Sequence, residues 1–289
     1  MANEITTTTA DDLVVSAEIL ASAILDHFYG HNTAGSLVRY ASISGAPTKA
    51  KDFPISPGLS AGSLAEGTDM TNTAFATTKT TITAAEVGLL LTITDVLSVS
   101  DVVEDSYYAA EGGKALAAKL TTDILALGAG FSNTCGGSGL NLSEANITDG
   151  LVTLMAAGVP GPYVGILHPR QWGDMVDSAG SSITPVAGPG SQTAREASND
   201  FGAKPDGGLG RLYGVEWYMS SLVPTANAGA DRIGMIVSRA NAIGQVSKWD
   251  ARVEFERDAS LRAREVAITA MYGVGELLDA AGVGVVTDA

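Results

Sequence analysis

The stretch 98–131 constrains this chain more than any other. Leu116, Leu120, Ile124 and Leu127 recur every three or four residues and place one apolar stripe on a helix. Asp101 stands three residues before Glu104, a variant of the capping-box spacing, and Gly128 and Gly130 supply a stop. A helix over 102–127 is roughly 40 Å long, where a globular helix averages about three turns. Gly112 and Gly113 interrupt it, each at a cost of up to about 1 kcal/mol against alanine. A pair in that place predicts a bend, or another chain packed close to the backbone.

The rest of the composition narrows what such a helix can belong to. The chain has 289 residues, enough for a sizeable core in one or two domains. Its formal charge is −15 with 17 Lys and Arg, which argues against a generic affinity for nucleic-acid phosphates. Cys135 is the single cysteine, so no disulfide or thiolate cluster can form within the chain. The first ten residues lack a basic segment followed by an apolar core, so no secretory signal is expected, and no apolar run is long enough for a membrane span. Abundant Gly, Ala, Ser and Thr with sparse charge suit a protein that buries surface against copies of itself.

Taken in order, residues 1–45 read as an arm whose segment 11–29 is an amphipathic helix. His27 and His31 share a helical face but have no evident third ligand, so no metal is expected. Residues 46–82 carry Pro47, Pro54, Pro57, Gly58, Gly62 and Gly67 and no long apolar run. They read as a projecting hairpin with a flexible tip near 57–70, unable to supply its own core and laid on a neighbouring subunit. Phe53, Phe75 and Lys79 are its candidate contact residues. An apolar strand over 84–95 leads into the long helix. A glycine-rich turn at 135–139 marks a domain boundary. After it come a helix over 148–157, a buried strand over 163–167, a helix opened by Pro169 with Trp172, Met175 and Val176 inward, and strands over 215–219 and 233–237. The segments 252–257 and 261–268 alternate polar and apolar residues. A turn at 258–260 would set Glu254 opposite Arg264 and Glu256 opposite Arg262, pairs worth about 0.2–1 kcal/mol each that fix register or meet a neighbour.

No catalytic constellation has good spacing. There is no nucleophile elbow, phosphate loop, dinucleotide fingerprint, calcium loop or zinc helix motif. His168 before Pro169 reads as a helix cap rather than a base. No enzyme activity and no cofactor are expected.

The order of parts resembles the major capsid proteins of tailed bacteriophages, a fold shared with encapsulin shells and the herpesvirus capsid floor. The stretches that carry the resemblance are Phe53-Pro54, Ile93-Thr94-Asp95-Val96-Leu97, Ile166-Leu167-His168-Pro169-Arg170-Gln171-Trp172, and Tyr213-Gly214-Val215-Glu216-Trp217-Tyr218-Met219-Ser220 followed by Pro224. The family often has Asn-Pro where this chain has His168-Pro169. The resemblance implies an α+β fold with an N-terminal arm (1–45), an extended loop (46–82), a peripheral domain with a long spine helix (83–131 and 236–289) and an axial α/β domain (132–235). It implies pentamers and hexamers in an icosahedral virion shell around double-stranded DNA held without sequence-specific contacts, assembled in the host cytoplasm. A separate scaffolding protein, a portal and a decoration protein are the implied partners. Some members cross-link a loop lysine; Lys49, Lys51 and Lys79 lie in or near the loop, but no acidic catalyst matches. Gly112 and Gly113 are then the bend a maturing shell would need. The alternatives left open are an encapsulin-like nanocompartment shell, a secreted hydrolase or glycan-binding protein, and a tail-tube subunit.

Overall fold

A computed structural model describes residues 33–55, 61–64, 66–67, 69–70, 77–96, 105–182 and 208–288. The helical stripe forms α1 (Asp105–Ala126), with Leu116, Leu120 and Ile124 fully buried along it. Residues 101–104, where the capping box is expected, lie outside the described residues. The helix does not end on a left-handed glycine. It tightens into a single 3-10 turn, Leu127–Ala129, closed by the Gly130 N–H donating to the Leu127 carbonyl at 2.9 Å. Gly128 serves packing instead: a Cβ there would stand 3.0 Å from Met235 Cε.

Two sheets flank this helix. The first has the order β1 (Val38–Ser42), β11 (Ile243–Asp258), β12 (Ala263–Glu276) and β4 (Ala85–Thr94). β1 runs parallel to β11; the other two pairings are antiparallel. Two register shifts in β11, either side of Trp249, are bulges that bend the long hairpin. The predicted strand over 84–95 is β4, and its alternation of exposed and half-buried residues is that of a sheet with one covered face.

The second sheet has the order β5 (Thr134–Gly136), β13 (Gly282–Asp288), β10 (Asp231–Ser238), β6 (Tyr163–Leu167), β8 (Val215–Met219) and β7 (Gly208–Leu212), with β9 (Thr225–Ala226) also on β10. Helices α2 (Glu144–Ala156) and α3 (Pro169–Ser182) belong to this half. α2 starts four residues earlier than the apolar pattern alone predicts, because Ser143 caps it by accepting from the Asn146 N–H. Pro169 opens α3, and the His168 ring caps it, its Nδ1 accepting from the Arg170 N–H at 3.2 Å. Trp217 lies across the bare face of Gly165, its partner on the adjacent strand.

The alternating segments 252–257 and 263–268 lie in the first sheet, but the chain's last strand does not. Residues 282–288 insert into the second sheet between β5 and β10, as a run with every residue buried or half-buried. A strand with both neighbours in place reads as a continuous apolar run, and Gly-Val-Gly-Val-Val fits that slot. Of the expected arm, 38–42 is already part of the first sheet.

One buried cluster joins the halves. Leu116, Leu120 and Ile124 of α1 share it with Val266, Ile268 and Ala270 of β12 and with Ile166, Met235 and Val237 of the second sheet. A second cluster lies beneath α2 and α3 around Ile147, Leu154, Met175 and Trp217.

Candidate assembly surfaces

The hairpin expected over 46–82 is a two-stranded ribbon at its root, β2 (Ala50–Ile55) against β3 (Thr78–Thr83). Its root does have a core. Phe53, only 3% exposed, and Ile82 pack with Ile43, Val246, Met271 and Leu277. Ile82 fills the space left by Gly244 and Gly275, whose added Cβ atoms would stand 2.8 and 3.2 Å from it. Phe53 is therefore corrected from an intersubunit contact to an anchor within its own subunit. Arg39 covers its ring at 5.7 Å.

Asp52 ties the two strands. It accepts from Lys79 Nζ and from Thr81 Oγ1, both at 2.6 Å. The Lys79 ammonium first, then the Thr81 hydroxyl, hold this carboxyl below its ordinary range. Lys79 is thus engaged inside the subunit. Below the ribbon, Lys248 Nζ donates to the Ala46 and Thr48 carbonyls, and the Ala84 N–H donates to Lys49 O at 2.7 Å. Phe75 lies outside the described residues. Beyond the ribbon, Leu64 and Met70 are 62% and 77% exposed. The signal in the sequence for the clamp around Asp52 is the polar face Asp52, Lys79, Thr81 on two strands whose other face carries Phe53 and Ile82.

The long hairpin corrects the expected charge pairs. Its turn covers 259–262, one residue longer and displaced, because Asp258 Oδ1 accepts from the Ser260 and Leu261 N–H groups and Arg262 takes a left-handed φ of 48°. Glu254 then faces Ala267, Glu256 faces Glu265, and Arg257 faces Arg264. Neither Glu254–Arg264 nor Glu256–Arg262 forms. The two arginines are accommodated separately. Arg257 reaches across β12 to grip Asp95 with both nitrogens, the NH2 contact being 2.7 Å, and Arg264 lies 4.8 Å over the Phe255 ring. The Arg257 guanidinium lowers the Asp95 pKa. Glu254 pairs with Arg252 on its own strand. Arg262 is exposed at the turn.

Gly112 and Gly113 are both buried, and α1 runs through them unbroken. An added Cβ at Gly112 would stand 2.4 Å from Ile268 Cδ1, so the close approach is to the chain's own β12. Further along, Asp123 accepts from the Tyr272 hydroxyl at 2.8 Å and pairs with Lys119 at 2.6 Å, pinning α1 to β12.

Among the described residues no cluster of His, Cys, Asp and Glu suits a metal, and no helix is long and apolar enough to cross a membrane. Burial pushes the Cys135 thiol up to about 12, far from a reactive thiolate. Burial and then Arg232 lower the pKa of His168, whose ring is occupied as a cap.

With this geometry in view, the comparisons are specific to fold. No protein-family model matches the chain, and no curated protein matches it. Solved structures do. The capsid of cyanophage Pam1 matches with a TM-score of 0.63 at 14% identity, over 89% of this chain and 90% of that one. The fold is that of a tailed-phage capsid subunit. The Mycobacterium phage Che8 structure agrees, with a TM-score of 0.63, 18% identity and coverage of 82% and 84%. A virus-like particle from Pyrococcus furiosus matches with a TM-score of 0.59, 12% identity and coverage of 93% and 99%.

Proposed function

We propose that this chain is a major capsid protein, self-assembling into pentamers and hexamers that close an icosahedral virion shell around double-stranded DNA. The observation that carries the reading is the two-way match over nearly nine tenths of both chains to phage capsid subunits. A small enzyme that had borrowed part of the fold would cover only part of it. The loop supports the same reading: its root is anchored, while Leu64 and Met70 stand in solvent. Side chains of that kind beyond a fixed root gain burial from sister copies. In this reading a scaffolding protein, a portal and any decoration protein are separate chains, and the acidic surface keeps packaged DNA from binding the wall tightly.

The likeness to the Pyrococcus furiosus virus-like particle favours a second reading, a compartment shell of the same fold around other contents. One experiment tests both. The purified chain is expected to form closed particles by negative-stain microscopy, and particles from the native source are expected to hold nuclease-protected DNA by their absorbance ratio. Closed particles free of DNA would select the compartment; a chain that stays monomeric at high concentration would overturn both.

A further inference from the structure

The first sheet has two long outer strands, and they are armed differently. Beyond Ser247, where β1 stops pairing, the outer side of β11 is charged at Lys248, Asp250, Arg252, Glu254, Glu256 and Arg257. That is how natural edge strands are kept from pairing with other chains. β4, at the opposite edge, has no charge, proline or bulge from 87 to 94: it reads Val-Gly-Leu-Leu-Leu-Thr-Ile-Thr. Among the described residues no strand lies beyond it. On a chain of net charge −15, a bare neutral edge of this length is the exception.

The ladder shows which groups that edge offers. The Asp95 N–H donates to the Arg262 carbonyl at 3.0 Å, continuing the register that sets Ile93 against Arg264 and Leu91 against Val266. In an antiparallel ladder, bonded and non-bonded residues alternate. The odd-numbered residues therefore spend their N–H and C=O groups on β12, and Gly88, Leu90 and Thr92 turn theirs outward. Gly88 and the side chains of Leu90 and Thr92 lie on the exposed face, Leu90 being 58% exposed above an open depression that it lines with Glu254, Glu256 and Glu265.

We propose that β4 pairs with β4 of a second copy across a twofold axis at Leu90, making one continuous sheet from two subunits. This rests on the shell reading above. An isologous pairing must match a strand to its own reverse. Centred on Leu90, Gly88 meets Thr92 of the second copy and Leu90 meets its own counterpart, and all three are residues with outward groups. Exposed faces stay together, and so do helix-covered faces. Glu86, the single charge of β4, falls outside this core. No like charges are brought directly opposite, and the exposed leucines of both copies cover each other.

The test uses the full chain assembled into closed particles. The Leu90 Cα atoms of a hydrogen-bonded antiparallel pair lie about 5.5 Å apart, within disulfide range. Under mild oxidation, L90C particles are expected to run as disulfide dimers on non-reducing gels, and dissociated L90C subunits as monomers. The native thiol, Cys135, is buried, so the unaltered chain serves as the blank. L90P removes an outward N–H without touching the inner ladder, since proline is tolerated on edge strands. It is expected to leave the subunit folded by circular dichroism and to lower the yield of closed particles about tenfold or more, because each small contact is repeated over the lattice. Closed L90C particles that stay monomeric on the gel overturn the pairing, as do L90P particles at the unaltered yield. If the unaltered chain closes no particles, the shell reading falls and the pairing with it; normal particles with monomeric L90C remove the pairing alone.

Discussion

Gln171 shows how much one uncharged side chain can hold. It is fully buried at the start of α3, its amide nitrogen donating to Arg232 O, Val285 O and Thr287 Oγ1 and its oxygen accepting from the His168 N–H. It thereby joins α3 to β10 and β13 at once. Gln171→Ala removes these bonds from a buried site, and is expected to cost about 2–4 kcal/mol in urea unfolding of the subunit. Asp231, also fully buried, works through charge. Its carboxylate receives the Ser138 hydroxyl, the Asn227 amide and the Gly139 N–H, the last at 3.0 Å, and these donors in that order hold its pKa down. The folded state therefore binds a proton less readily than the unfolded one. The stabilisation is complete above the unfolded carboxyl's value of about 3.9 and is lost as pH falls through the lower folded value. Asp231→Asn should melt below the native chain at pH 7 and lose less on going to pH 3, measured by thermal scans across that range. An unchanged acid slope would assign the acid loss to Asp52, Asp95 and Asp258, whose pKa values are lowered too.

At the scale of the element, Gly112 is where α1 meets β12. Gly112→Ala gains about 1 kcal/mol of helix propensity but drives a methyl against Ile268 Cδ1, and overpacking costs about 1–3 kcal/mol. Ile268→Val removes that same atom. The expected result is a destabilised single variant and a double variant more stable than the sum of the two singles predicts, read as a double-mutant cycle in denaturant. Additive values would free the glycine from its packing role and return it to the bend of a maturing shell. This contact could not be read from the sequence, which marks the glycine pair but not the strand that fills it. What could be read is periodicity: the stripe on α1, the alternation of β4, the apolar runs of β6 and β8, and Pro169 at the head of α3. What could not is register. Moving the 258–260 turn to 259–262 shifts the pairing by three residues, and an odd shift changes which side chains face each other. Only the Asp258 carboxylate and the left-handed Arg262 fix that choice, and neither residue type demands it. Phe53 misled for a related reason: its aromatic ring in a polar, proline-bearing stretch reads as a reaching contact, while the two glycines that make room beside Ile82 lie about 160 and 190 residues away.

For the molecule as a whole, charge and reach set opposite tendencies. Copies with a formal charge of −15 repel one another, and the Debye length falls from about 30 Å at 0.01 M salt to about 8 Å at 0.15 M. Particle yield should therefore rise as salt is raised through that interval, by light scattering at fixed protein concentration; a yield that falls would mean that opposite charges, not apolar contacts, join the copies. The β2–β3 hairpin is the other half of the balance. Its root is self-sufficient: Phe53 and Ile82 are buried in the subunit, and Asp52, Lys79 and Thr81 close the ribbon above them. Leu64 and Met70, within the segment 57–70, are exposed and take no part in the cluster around Phe53. Deleting 57–70 should thus leave a folded subunit whose melting temperature stays within a few degrees of the native one, since surface changes away from the core shift stability by about 0.5 kcal/mol or less. On the shell reading the same deletion removes a contact from every subunit, and a closed lattice multiplies that loss. Sizing and negative-stain microscopy are expected to show intact subunits and no closed particles. Normal particles would take the hairpin tip out of assembly and leave other surfaces, the β4 edge among them, to hold the shell. A deletion that unfolds the subunit would instead place residues 57–70 inside the fold, against the anchoring seen at Phe53.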